Sequence, residues 1–231
     1  MTQLNWSIFV CLALASVANT VDAEILDQAA TLRPTTSGWS ISDRNAQTVT
    51  VGNSGQLSRI ELQIFQSDAR ASGDLYVELF GVNPDGSPDT TSAMIDRVLL
   101  LNSQIPLRND IDNGDIVLTS ADFMPNNLLF DAGDQFAIVL NRTDQSSTGA
   151  PPWMIWSGPS QVFPSDYAGG SFYLNTSNGW EQRVGDHGFR TFMATAVPEP
   201  GSTGLLFAAS SLVLWQRQRK TRGSGCRARS V

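Results

Sequence analysis

Of the residue types that run acid-base chemistry at neutral pH, this sequence holds one histidine, His187, set between Gly185-Asp186 and Gly188. A Ser-His-Asp site would have to use it, yet no Gly-x-Ser-x-Gly turn offers a nucleophile. Its glycine-flanked position reads as that of a loop residue. Two carboxylates alone could serve a glycan-processing enzyme, but the body of the chain holds 20 acids, so pairs arise by chance and most are solvated loop residues. Asp110, Asp112 and Asp115 resemble a calcium loop at first sight. The template fails because Gly114 falls on a ligand position and no Glu follows at the required distance, which leaves Asn113-Gly114 as a hairpin turn. Asp85 and Asp89 are the better candidate calcium loop, since oxygen-rich loops suit that hard cation. No other cofactor is expected.

Aromatic residues supply a second kind of chemistry. Trp153, Trp156, Phe163, Tyr167, Phe172, Tyr173 and Trp180 gather within one stretch. Exposed rings of this kind stack on pyranose faces, so Trp153, Trp156, Tyr167 and Trp180 are candidate carbohydrate contacts. The competing reading, and the favoured one, is that the rings fill a core, where large aromatics contribute most burial. Trp153 and Trp156 cannot share one side of a regular strand, whereas they could pack around a bend.

The elements that would hold these residues have a period of two. Ile60, Leu62 and Ile64 alternate with Glu61 and Gln63; Leu75, Val77 and Leu79 alternate with Tyr76, Glu78 and Phe80. Phe136, Ile138 and Leu140 alternate with Ala137 and Val139, and Phe189, Thr191 and Met193 with Arg190 and Phe192. Each run reads as a strand with one core face. Turn chemistry separates the runs at Gly52-Asn53-Ser54-Gly55, at Asn83 to Asp89, at Asp112 to Asp115 and at Ser177-Asn178-Gly179. No long helical pattern competes. The expected fold is all-β, an antiparallel β-sandwich of jelly-roll type.

Charge and cysteine usage set the two ends apart from this body. Between residues 24 and 198 there are nine Arg, no Lys and 20 Asp+Glu, a formal balance of −11, while six of the 15 basic residues lie after position 216. An acidic body excludes the clustered Lys and Arg on which phosphate binding depends, so nucleic acid is not an expected partner. Both cysteines, Cys11 and Cys226, fall in the terminal segments, which leaves the body without a disulfide.

Residues 1–23 read as a signal peptide: Ile8 to Val17 is an apolar run too short to span a bilayer, and Val21-Asp22-Ala23 before Glu24 fits a small-x-small cleavage site, with Ala18 as a second one. The body then covers 24–196. Residues 197–231 form a third segment, with Val197-Pro198-Glu199-Pro200, an apolar run over about 201–216, and a basic tail over 217–231 that contains Arg217, Arg219, Lys220 and Arg222. With its flanks the run reaches the length of a transmembrane helix, and the basic cluster keeps that end in the cytoplasm while the body goes outward.

Val197-Pro198-Glu199-Pro200, the apolar span and the arginine cluster, in that order, resemble the PEP-CTERM sorting signal. The resemblance implies processing by an exosortase, a membrane transpeptidase that cuts at the motif and transfers the body to a surface or matrix acceptor. It also implies exopolysaccharide surroundings. The body is similar, more weakly, to bacterial choice-of-anchor β-sandwich domains, on Asp131-Ala-Gly-Asp134 leading into Gln135 to Leu140, on Tyr167 to Tyr173, and on Trp180 with the strand Phe189 to Phe192. The residues thus lead first to a non-enzymatic surface or extracellular-matrix component, membrane-anchored during sorting. A carbohydrate-binding module recognising matrix polysaccharide is the second reading, and a glycan-processing enzyme a distant third.

Overall fold

The alternating runs become strands in the computed structural model, which describes residues 23–32, 38–41, 44–67, 73–110, 115–143, 154–157 and 167–195. The signal-peptide segment up to Asp22 and the sorting segment from Val197 lie outside the described residues. Fifteen strands are present among those described: β1 (Ala23–Ala29), β2 (Gly38–Ser40), β3 (Asn45–Thr50), β4 (Gly55–Leu62), β5 (Ile64–Gln66), β6 (Leu75–Val82), β7 (Pro88–Asp89), β8 (Asp96–Leu100), β9 (Thr119–Asp122), β10 (Leu129–Phe130), β11 (Gln135–Arg142), β12 (Met154–Ser157), β13 (Phe172–Thr176), β14 (Gly179–Arg183) and β15 (Phe189–Thr195). The only helical turns among these residues are three short 3₁₀ pieces, at Asn102–Gln104, Arg108–Asp110 and Met124–Asn126.

The strands pair antiparallel into three sheets. Sheet 1 runs β1-β15-β4, and the far side of β4 is shared by β9, opposite Arg59 to Leu62, and β10, opposite Gly55 and Gln56. Sheet 2 runs β14-β13-β3-β11-β6, and β6 is flanked in turn by β8 and β7. A small third sheet joins β2, β12 and β5. One apolar cluster takes Leu57, Ile60 and Met193 from sheet 1 and Val77, Phe136 and Ile138 from sheet 2. The inner faces of two antiparallel sheets therefore share a core, an arrangement consistent with a β-sandwich.

Two details go beyond a simple alternation. The run Ile60-Leu62-Ile64 is divided: β4 ends at Leu62, the Gln63 N–H donates to the Gly188 carbonyl (2.9 Å), and Ile64 opens β5 in the small sheet. In β11 the residues between the core positions are also enclosed, because Ala137 and Val139 join Ala46, Phe80 and Tyr173 in a second apolar cluster on the outer side of sheet 2. The β13–β14 hairpin is fastened to β3 at close range. A Cβ on Gly170 would lie 1.8 Å from the Thr48 carbonyl oxygen, and Thr48 exchanges hydrogen bonds with Ser171 on both sides of that approach. The hairpin turns through Gly179, whose φ of 99° is in the region that favours glycine.

Candidate functional site

The segment Gly185 to Gly188 brings the sole histidine into the middle of the molecule. β3 carries Gln47 on its inner side, β12 carries Trp156 and β13 carries Phe172, and all three side chains are buried with His187, which has no exposed surface. The imidazole stacks on the Trp156 indole at 4.1 Å with the planes 6° apart, and Phe172 meets it obliquely at 4.1 Å. Asp186 is buried beside it. Its Oδ1 accepts from Gln47 Nε2 (3.1 Å) and its Oδ2 from the Tyr167 backbone N–H (3.0 Å). Gln47 Oε1 accepts from the His187 backbone N–H (3.0 Å), and Trp156 Nε1 donates to the Gly188 carbonyl (3.1 Å). Each of these bonds satisfies a buried polar group that would otherwise cost roughly 1–3 kcal/mol. The arrangement fixes a loop between the sheets, and its histidine is enclosed instead of facing a cleft.

Tyr167 belongs to the same interior. Its ring stands edge-on to Phe189 at 5.2 Å, and its hydroxyl accepts from the Thr50 N–H (3.1 Å) and donates to the Thr50 carbonyl (3.3 Å). Burial pushes the phenol up to about 12. Of the candidate sugar contacts, Trp156 and Tyr167 are core residues whose ring faces are covered by protein, in line with the favoured core reading of this stretch. Trp153 lies outside the described residues. Trp180 is partly exposed on β14, but its indole packs against the outer cluster of sheet 2 and its Nε1 donates to Thr90 Oγ1 (3.1 Å). No flat platform of these four rings is formed by the described residues.

Asp85 and Asp89 lie four residues apart on the turn between β6 and β7 and beyond it, each with its own local partners. Asp85 Oδ1 accepts from the Ser87 hydroxyl (2.7 Å) and backbone N–H (2.9 Å). Asp89 accepts from the hydroxyls and the backbone N–H groups of Thr91 and Ser92. These bonds hold both carboxyls below the usual carboxylate range, led by the Ser87 hydroxyl for Asp85 and the Ser92 hydroxyl for Asp89. The carboxylates thus act as turn-forming acceptors. Among the described residues no group of three or more His, Cys, Asp or Glu side chains is gathered for a metal ion. Asp110 and Asp115 are exposed, and Asp112 lies outside the described residues.

The structure adds one polar group that the sequence reading passed over. Glu78, 5 % exposed, pairs with Arg44 (2.6 Å) and accepts from Asn141 Nδ2 (3.2 Å) on the outer side of sheet 2, where Arg44 also lies 5.5 Å over the Phe80 ring. A lone acid inside the apolar run Leu75 to Phe80 was the available signal. Its partner Arg44 is 34 residues away, so the pairing itself had none. A scan of the chain against protein-family models finds no match, and a search of curated proteins finds none.

Proposed function

We propose that this chain is an exported, non-enzymatic component of a cell surface or extracellular matrix. A signal peptide over 1–23 sends the body outward, and an exosortase sorts it at Val197-Pro198-Glu199-Pro200 after the span at about 201–216 has held it in the membrane. The observation that carries this reading is the ordered carboxyl end: proline-bracketed glutamate, apolar run, then Arg217, Arg219, Lys220 and Arg222. Two features of the body support it. The enclosed position of His187 favours a structural role for the one residue best suited to general-base work. The strand order supports a jelly roll: with β9 and β10 counted as one interrupted strand, β1-β15-β4-β9/β10 and β3-β11-β6-β8 give the two four-stranded sheets of that architecture, and β13–β14 is an added hairpin on the β3 edge.

The reading is tested by expressing the full chain in a host that carries an exosortase and weighing the mature form by mass spectrometry. The wild type is expected to begin at Glu24 and to lack the residues beyond the motif. A P198A/E199A/P200A variant is expected to retain the span and stay with the membrane. An identical mature mass for both chains would overturn the sorting role. The carbohydrate reading now rests on Trp180 alone among the described candidates, and glycan-array binding that survives Trp180→Ala would remove that basis.

A further inference from the structure

Beyond the covered cluster on the outer side of sheet 2, β6, β8 and β11 present a row of polar and partly exposed side chains. The ladders set Tyr76 between Leu99 on β8 and Asn141 on β11, and Glu78 between Arg97 and Val139. Glu78 uses both oxygens on the β11 side: Oε1 accepts from Asn141 Nδ2 (3.2 Å) and Oε2 from Arg44, just before β3 (2.6 Å). Its register partner Arg97 takes no part in these bonds. The exposed Arg97 guanidinium instead lies 4.7 Å over the Tyr76 ring and forms no ion pair among the described residues. A ring face attracts a cation without neutralising it, so this guanidinium is held in place with its charge intact. Leu99, 42 % exposed, adds apolar surface beside it.

From this arrangement we propose that the outer face of sheet 2 at β8, β6 and β11 binds an acidic polysaccharide, one whose sugar units carry carboxylates. It is an inference that deepens the carbohydrate reading above, rests on it, and seats the ligand away from Trp180. Charge selects the occupant. The outward charged residues of this strip, Arg97, Arg44 and Glu78, set two cations against one acid on a body whose formal balance is −11, so an anion is favoured here while the net charge of the body opposes it elsewhere. Arg97 takes a sugar carboxylate through two parallel N–H bonds, and a planar fork already fixed over a ring gives up little freedom in doing so. Leu99 meets the apolar C–H face of the same pyranose. From β8 across β6 and β11 to Arg44 is three inter-strand steps of about 4.8 Å, a strip about 14 Å wide on which linked sugar rings can lie. Nucleic acids and anionic membranes call for larger clusters of Lys and Arg than these two cations. An acidic peptide is disfavoured for a different reason, because the backbone groups under a sheet face are already engaged in ladders and offer no place for an added strand.

The experiment measures binding of the purified full chain to immobilised polygalacturonate, polyglucuronate and alginate by biolayer interferometry, with methyl-esterified polygalacturonate and poly-glutamate as comparators. The wild type is expected to bind at least one of the three acidic polysaccharides more tightly than either comparator. Arg97→Ala is expected to weaken that binding about tenfold, the scale of one lost charge-assisted contact. Leu99→Glu, which sets a carboxylate beside Arg97, is expected to weaken it at least as much. Arg108→Ala removes an exposed arginine from the turn Arg108–Asp110 and is expected to leave it unchanged. Binding that Arg97→Ala leaves intact, or that Arg108→Ala weakens equally, overturns this site and leaves the carbohydrate reading standing elsewhere on the chain. Poly-glutamate bound as tightly as the polysaccharides overturns the saccharide as occupant in favour of an acidic peptide. A chain that binds none of the three polymers but does bind neutral sugars on the glycan array overturns the site alone, and a chain that binds neither overturns the carbohydrate reading with it.

Discussion

The outer faces of the two sheets use opposite means to the same end. On sheet 1 the outward residues are charged and largely satisfy one another: Arg59 pairs with Glu24 and Glu61, Arg190 reaches Glu61 (3.5 Å), and the Arg59 guanidinium lies 3.6 Å over the Phe192 ring. Burial disfavours the Arg59 charge, but its bonds to Glu24 and Glu61 outweigh that and raise its pKa above the ordinary value. On sheet 2 the outward residues include Ala46, Phe80, Ala137, Val139 and Tyr173, sealed with Val82 and Trp180, and the ion pair of half-buried Arg44 with buried Glu78 stands among them. A face left to solvent tolerates charge because water screens it, whereas a covered face must be apolar or fully paired. Sheet 2 is consequently a sheet buried on both sides at its middle strands, and sheet 1 on one.

The contrast predicts unequal penalties for like changes. Phe80→Ala on sheet 2 removes a buried ring and is expected to destabilise by about 3–5 kcal/mol, as large-to-small changes of enclosed aromatics do. Phe192→Ala on sheet 1 removes a partly exposed ring whose chief partner is a cation, and about 1 kcal/mol is expected. Urea unfolding of the two variants measures the difference. Equal losses would show that the outer side of sheet 1 is as enclosed as that of sheet 2.

The ion pairs should separate in the same sense. Glu78→Ala leaves the Arg44 guanidinium, 27 % exposed, without its carboxylate. Removing one partner of a fully buried pair costs about 3–5 kcal/mol, and the residual exposure of Arg44 brings the expected loss to about 2 kcal/mol. Glu61→Ala, which breaks two more exposed contacts, is expected to lose about 1 kcal/mol or less. Salt sharpens the test: at 1 M the Debye length is about 3 Å, so the Glu61 penalty should shrink while the Glu78 penalty persists. A Glu78 penalty that vanishes with salt would mean that water reaches the pair.

How much of this was legible depended on whether the signal was local. The inner faces were legible: Ile60, Leu62, Phe136, Ile138 and Met193 all occupy the core that their alternation predicted. The doubly buried middle of sheet 2 was half visible, since the residues between the core positions of β11 are Ala137 and Val139 and not polar ones, a run typical of a strand covered on both faces. The burial of Trp156 agrees with the favoured core reading of the aromatic stretch, but the enclosure of His187 was not legible, because it depends on Gln47 meeting a loop 139 and 140 residues later. The Ala23–Thr195 pairing joins residues 172 apart and leaves no mark in either neighbourhood. Asp85 and Asp89 were read as a candidate calcium loop on their oxygen-rich setting, but which donors fill those oxygens depends on backbone geometry that composition does not carry.

Those two carboxylates give the smallest expected effect, on the turn and loop beside the covered face. Gly86 lies near the Tyr173 hydroxyl and Thr90 accepts from Trp180, so the segment that Asp85 and Asp89 shape touches two of the three aromatics of the outer cluster. Both carboxyls have folded pKa values below their ordinary values. A depressed carboxylate contributes stability that is present above the unfolded pKa, about 3.9 for Asp, and is lost as the pH falls through the folded one. Melting temperatures measured downward from pH 5 should therefore decline below about pH 4. In a D85N/D89N variant part of that decline should be absent, because the amides accept hydrogen bonds without titrating. All other acids are shared by the two proteins, so only the difference between the two curves reports on the turn. Parallel curves would mean that Ser87, Thr91 and Ser92 hold the segment as firmly when the carboxyls are protonated, and the cover of sheet 2 would then owe its order to Val82 and Trp180 packing alone.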